Sequence, residues 1–177
     1  MRTKLLTTAG VALLSVATAV QAHHSFSMFD PSREEVIKGS VVQWSFNSPH
    51  TLLYVETEGG DTWVFEGNAP PAALGRSPSI SGTTFTSGEN VVVIHCPLRD
   101  GRNGGGVGLV IGEDGTVYNP SDAGCSANQR MEEWPQWVEA GYMSLEEAQA
   151  ADGGAEMPED ASEEADPDAD ADEGSSD

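Results

Sequence analysis

The feature of this sequence that most constrains its fold is a series of short apolar runs between residues 35 and 118, separated by turn signals. The runs are rich in valine and aromatic residues, which favour strands. Gly-Gly-Asp at residues 59–61 and Asp-Gly at residues 114–115 predict two hairpins. Between the third and fourth runs, a Pro-Pro pair opens and a glycine ends a predicted helical turn over residues 70–75.

This order of elements predicts the fold class. Three strands, one short helix and two further strands are the order of a small OB-like barrel. We therefore expect a mainly β protein with a five-stranded OB-like barrel and a short helix between strands 3 and 4. An antiparallel sandwich is the alternative, because it is compatible with the same number of strands.

The sequence changes character after residue 120, where helix-forming residues replace the strand pattern. Ser144 with Glu147 three residues later is a capping box and predicts a short helix. The aromatic residues Trp134, Trp137 and Tyr142 are expected to pack onto the barrel, since large aromatics near helical spacing usually belong to a core.

The first 22 residues have a short basic start, an apolar run and small residues at the end, which is typical of a secretory signal peptide. The apolar run is too short to span a membrane. Cleavage after Ala22 is favoured over cleavage after Ala19, because the earlier cut would fall within the apolar run. We expect a soluble protein in the periplasm or secreted, with no membrane insertion. The predicted domains are a signal peptide (1–22), a β-barrel domain (23–120), a helical extension (121–151) and a disordered acidic tail (152–177).

The chain has a formal net charge of −21, and residues 152–177 contain many acidic residues and no basic one. The tail has almost no large apolar residues, so it cannot offset the entropy lost on ordering. Phosphate backbones and anionic lipids would be repelled by such a chain, which argues against nucleic acid and membrane partners. Cations are attracted, although acidity of this kind also serves solubility alone.

The chain has two cysteines, Cys96 and Cys125. An even number in an exported protein predicts a disulfide between them. A copper thiolate is the alternative. It is disfavoured because all four histidines precede Cys96, whereas blue-copper sites usually have a histidine downstream of the cysteine.

Several segments carry a family likeness: "AHHSFSMFD", "KGSVVQWSFNSPH", "GDTWVFEGNAPPAALGR" and "SGENVVVIHCPLRDGRNGG". Over residues 22–118 the chain resembles a family of small exported bacterial proteins of uncharacterised function, whose members have an AHHSF mature start and an NPH motif. This chain reads NSPH, with Ser48 inserted. The resemblance implies an export signal and a small β-domain, and it supplies no activity. A weaker similarity, at the level of the fold, is to periplasmic OB-fold proteins.

Cleavage after Ala22 would place His23 at the N-terminus, where its α-amine and its imidazole Nδ1 can both bind one metal ion. One further imidazole would complete a histidine brace, a three-nitrogen site that suits copper better than zinc. His50 is the favoured third ligand. His24 would have to fold back, and His95 lies in a strand where a buried, hydrogen-bonded histidine is the competing interpretation.

The sequence thus predicts an exported periplasmic protein that binds a metal ion, copper in preference to zinc, without catalysis. The alternative is an OB-like module that binds a small ligand or an envelope protein and no metal, presenting Trp44, Trp63 and the loop around Arg76. Two histidines at a permissive polar mature start are the plainest explanation of the double histidine. A copper oxygenase ranks third. The chain lacks the nucleophile-elbow and HExxH patterns of hydrolases.

Overall fold

The computed structural model describes residues 26–152, so the predicted signal peptide, His23, His24 and the acidic tail after residue 152 lie outside the described part. The described chain contains six strands, three α-helices and two 3-10 turns. The strands are β1 (Glu35–Ser45), β2 (Leu52–Glu56), β3 (Thr62–Glu66), β4 (Asn90–Pro97), β5 (Gly104–Ile111) and β6 (Val117–Tyr118). The helices are α1 (Pro70–Leu74), α2 (Glu133–Ala140) and α3 (Leu145–Asp152), and the 3-10 turns are Phe26–Met28 and Ala127–Arg130.

The first five strands form a closed barrel. They follow the order β3-β2-β1-β4-β5, and a parallel pairing of β3 with β5 closes the ring. The other four pairings within the ring are antiparallel. The prediction of a five-stranded OB-like barrel with a helix between strands 3 and 4 is confirmed, and the sandwich alternative is wrong. The two-residue strand β6 pairs with Val110 and Ile111 at the end of β5, beyond the residues of β5 that pair with β3.

The local turn signals hold in the structure. Gly60 has φ 81° in the turn between β2 and β3, and Gly115 has φ 80° in the turn between β5 and β6. Glycine adopts such positive φ values without steric strain, which explains why both hairpins form where they do. Helix α1 begins at Pro70 and ends before Gly75, as predicted.

The barrel interior is the main hydrophobic core. Strand β4 shows how alternation builds it, because Val91 and Val93 face the interior whereas Ile94 and Cys96 belong to a second cluster outside the barrel. The interior cluster consists of Val41, Leu53, Val55, Phe65, Ala73, Ile80, Phe85, Val91, Val93, Val107 and Val110.

The second cluster joins the helical segment to the barrel. Trp134 is fully buried there and Trp137 packs against it, as expected, whereas Tyr142 is half-buried and lies outside this cluster. The Sγ atoms of Cys96 and Cys125 are 2.11 Å apart within the same cluster. The predicted cysteine pair therefore lies at disulfide distance.

A buried carboxylate also anchors this segment. Glu34 is 2% exposed and accepts hydrogen bonds from Arg130 Nη1 at 2.6 Å, Trp134 Nε1 at 2.9 Å and Ser126 Oγ at 3.3 Å. These donors compensate the loss of water around the charge. Nothing in the local sequence pattern indicated this network, because its members are about a hundred residues apart.

The capping box of α3 forms with a shift. Ser144 Oγ accepts a hydrogen bond from the Glu147 N–H at 3.2 Å. The Glu147 carboxylate reaches back to the Met143 N–H at 2.7 Å rather than to that of Ser144. Both interactions satisfy N–H groups at the start of the helix.

Candidate metal centre

His50 lies on the outside of the barrel, in the loop just before β2. Its Nδ1 is 3.2 Å from Glu66 Oε1, 3.3 Å from the Gly67 carbonyl oxygen and 3.6 Å from Asp122 Oδ2. All three neighbours are hydrogen-bond acceptors, and these contacts fit the tautomer with the proton on Nδ1. In the neutral imidazole, Nε2 then holds the lone pair that can bind a metal ion.

The β2–β3 hairpin brings His50 to Glu66. Beyond the last ladder pair, the Gly67 N–H donates to the Thr51 carbonyl at 2.9 Å and the Thr51 N–H donates to the Asn68 carbonyl at 3.1 Å. A Cβ on Gly67 would lie 2.7 Å from Thr51 Oγ1, so this close approach requires glycine. The extended ladder therefore fixes the backbone on both sides of the histidine–glutamate contact.

Asp122 reaches the same place from the loop after β6. That loop is tied to the barrel by the Asn68 N–H, which donates to the Pro120 carbonyl at 2.8 Å, and by the disulfide at Cys125. Asp122 Oδ1 accepts a hydrogen bond from the Ala123 N–H at 2.8 Å, while Oδ2 is the oxygen near His50. The carboxylate is thus oriented by its own turn.

Phe26, the first described residue, packs against the imidazole of His50. The two ring centroids are 6.3 Å apart with an interplanar angle of 74°. Phe26 also contacts Gly124, where a Cβ would come within 3.3 Å of the phenyl ring. The chain therefore enters the barrel domain beside His50.

The predicted ligand His95 lies elsewhere. It is fully buried inside the barrel, with ring centroids 5.6 Å from Trp63 and 5.0 Å from Phe65. Phe65 and Glu66 are consecutive in β3, and one side chain faces the interior while the other faces His50 outside. The structure therefore does not bring His95 to His50.

The burial expected for His95 is confirmed, but the hydrogen bonding is not. Neither ring nitrogen has a hydrogen-bond partner among residues 26–152. Burial lowers the pKa of His95 to about 4. A contact with the Cys96 backbone, outside normal hydrogen-bond geometry, opposes this effect, and the charge of Arg33 adds to it. His95 is accordingly a neutral imidazole at neutral pH.

The described residues do not form a complete metal site by themselves. Within residues 26–152, no group of three or more histidine, cysteine, aspartate or glutamate side chains is arranged to hold a metal ion. His23 and His24, which the sequence hypothesis requires, lie outside this range.

The two tryptophans of the alternative hypothesis support the barrel core. Trp44 lies with its ring 5.1 Å from that of Phe85, and its Nε1 donates to the Ser81 carbonyl at 2.8 Å. Trp63 stacks on Phe65 at 6.2 Å. Both side chains are half-buried and pack against the interior cluster.

Comparison with known families matches residues 11–107 to a family of unknown function (DUF6152). The chain belongs to this family. The part matched to DUF6152 includes all four histidines and Glu66, whereas Asp122 and Cys125 lie beyond it. No curated protein and no solved structure matches the chain.

Sequence reasoning did not find the carboxylates around His50 in this DUF6152 protein. The hairpin held a signal for Glu66, because β2 and β3 pair Leu52 with Glu66 around the predicted Gly-Asp turn. Asp122 had no such signal, since a long-range fold contact brings it there.

No helix within residues 26–152 is long and apolar enough to span a membrane.

Proposed function

We propose that this chain is an exported periplasmic protein that binds copper through an N-terminal histidine brace formed by His23 and His50, in a non-catalytic role. The observation that supports this proposal is the set of contacts made by Nδ1 of His50. Its Nδ1 faces three acceptors, which leaves Nε2 as the metal-binding nitrogen. The segment carrying His23 enters the fold directly beside it, at Phe26.

The N-terminal segment is long enough for this role. His23 is three residues before Phe26, and an extended chain spans about 3.3 to 3.6 Å per residue, so its Cα lies within about 11 Å of that of Phe26. The α-amine and Nδ1 of His23 would provide two nitrogen ligands, and Nε2 of His50 the third. Such a nitrogen set suits Cu(II) by geometry and by the stability order of divalent metals, with zinc the weaker candidate.

Glu66 and Asp122 favour a cation at this place. Glu66 is a positioning residue in the proposal, because an acceptor at Nδ1 fixes the tautomer and the orientation of a ligating imidazole. The two carboxylates also add negative charge near a bound dication. The net charge of −21 attracts cations to the protein as a whole.

The export part of the proposal has separate support. Residues 1–22 have the composition of a signal peptide. The cysteine pair at disulfide distance is compatible with an oxidising compartment such as the periplasm. Cleavage after Ala22 is the step that would give His23 its free amine.

Intact mass of the exported protein, followed by copper titration and electron paramagnetic resonance, tests the proposal. We expect a chain that begins at His23 and binds about one Cu(II) with nitrogen hyperfine structure. His23→Ala and His50→Ala should each abolish this signal. His95→Leu is the matched control and should retain it, because His95 lies inside the barrel. A mature chain beginning elsewhere, or unchanged binding in His23→Ala, would refute the brace.

A second variant tests the role of Glu66. Glu66→Leu, which removes the acceptor at Nδ1, should weaken copper binding by about ten- to a hundredfold while leaving the nitrogen ligands in place, as is usual for partners of ligating histidines. Glu66→Gln, which loses the charge but keeps an acceptor oxygen for Nδ1, is the control for loss of charge alone. Equal effects of the two variants would show that Glu66 acts only through charge.

A further inference from the structure

Arg76, which follows α1, is a charged residue that has no role in the proposed metal centre. We propose that Arg76 and the polar loop over residues 121–129 form a binding site for a small monocarboxylate anion. The inference does not rest on copper binding, and the site lies on a separate surface depression that shares only Asp122 with the metal centre.

Arg76 differs from the other arginines in its partners. Of the five arginines within residues 26–152, four have a carboxylate oxygen within 4.0 Å, and Arg76 has none among the described residues. The four pairs are Arg33–Glu35, Arg99–Asp30, Arg102–Asp100 and Arg130–Glu34. An unpaired arginine is unexpected in a chain with 29 acidic and 8 basic residues.

The guanidinium of Arg76 has more N–H donors than its hydrogen bond to Ser121 uses. Its Nη2 donates to the Ser121 carbonyl at 2.9 Å, which ties α1 to the loop. Its Nε is buried and has no acceptor within the described chain. A guanidinium carries five N–H donors in a planar fork, so the structural tie to Ser121 accounts for only one of them.

The depression beside Arg76 has the size and lining of a small polar site. Its volume is about 340 Å³, near the lower end of the range for ligand sites. Besides Arg76, it is lined by the amide side chains of Asn128 and Gln129, which can donate hydrogen bonds, together with Asp122 at its edge. Ser121 and Ser126 also line it, but their hydroxyls already donate to Asn119 and Glu34.

These features favour a carboxylate with a single charge. The planar fork of arginine matches a carboxylate in a bidentate arrangement, which gives stronger hydrogen bonds than neutral groups make. The Asp122 carboxylate at the edge and the net charge of −21 both repel additional negative charge. A monocarboxylate therefore fits better than a phosphate dianion.

Titration of the full exported chain, kept metal-free with a chelator, tests the site by NMR. Acetate should produce saturable shifts at the Arg76 Nε–H and at the backbone amides of residues 121–129. Arg76→Lys should weaken acetate binding by about tenfold or more, the effect of one lost hydrogen bond to a charged group. Arg102→Lys, at an exposed arginine with its own carboxylate partner, should not change it.

Three results would overturn the assignment: no saturation with acetate, equal affinity in Arg76→Lys, or tighter binding of inorganic phosphate than of acetate. If Arg76→Lys does not fold, the map of shifts in the unmodified chain decides, because shifts confined to another surface contradict the proposal. The use of metal-free protein separates this result from that of the copper experiment.

Discussion

Acidification is expected to destabilise the metal-free protein because of His95. This imidazole is fully buried, and burial lowers its pKa from an ordinary value of 6.5 to about 4. Well above pH 6.5, the imidazole is neutral in both the folded and the unfolded chain. Between pH 6.5 and pH 4, the unfolded chain binds a proton that the folded chain does not, so the free energy of unfolding falls as the pH falls.

The size of the effect follows from the two pKa values. One pKa unit corresponds to about 1.4 kcal/mol, so the full difference is about 3.4 kcal/mol and is approached below pH 4. At pH 4.5, the loss relative to pH 7 is about 2.5 kcal/mol. That is a large fraction of the total stability of a small domain, which is typically about 5 to 15 kcal/mol.

Urea denaturation followed by tryptophan fluorescence at pH 7, 5.5 and 4.5 measures this loss. His95→Leu should remove most of the pH dependence, whereas Val93→Ala on the same strand face should lower stability equally at each pH. Hydrogen bonds in their own turns lower the pKa values of Asp30, Asp100 and Asp114 below 3.8, so these groups remain ionised in this window. Parallel pH profiles for the unmodified chain and His95→Leu would refute the reasoning.

Three substitutions test the packing and the caps, each by the change in free energy of unfolding. Gly105→Ala should destabilise by about 1 to 3 kcal/mol, because the added Cβ would overlap the Cys96 carbonyl oxygen; an unchanged stability would mean that β4 and β5 can separate locally. Arg130→Met should lower stability by about 3 to 5 kcal/mol, since it leaves the Glu34 carboxylate buried without its cation, and a loss below 1 kcal/mol would contradict the assigned pairing. Ser144→Ala should lower it by about 1 kcal/mol through loss of a helix cap, while Ser144→Asp should restore it.

The barrel was predictable because its elements depend on local signals. Strand alternation and two glycine turns define the hairpins, and the Pro-Pro pair places the start of α1 at Pro70, where it is observed. The position of His95 inside the barrel also follows from alternation with Val91 and Val93. Alternation does not predict that His95 lacks a hydrogen-bond partner, because the partners of a buried side chain depend on how the neighbouring strands pack.

The surroundings of His50 were only partly predictable. Glu66 could have been found from the hairpin alone, since the register of β2 and β3 is fixed by their turn. Asp122 could not, because its place depends on the path of the chain after β6 and on the cysteine pair. The Glu34 network could not be predicted either, because tertiary packing brings Arg130 to Glu34.

The loop over residues 119–126 links the two proposed sites. Asp122 turns one carboxylate oxygen toward His50, and its neighbour Ser121 accepts the hydrogen bond from Arg76. Because Cys125 ties the same loop to β4, a shift of the loop would move Asp122 and Ser121 together. This loop lies beyond the part of the chain that matches the family, so the matched part supplies the proposed copper ligand His50 and the carboxylate of Glu66, while the following segment adds the carboxylate of Asp122.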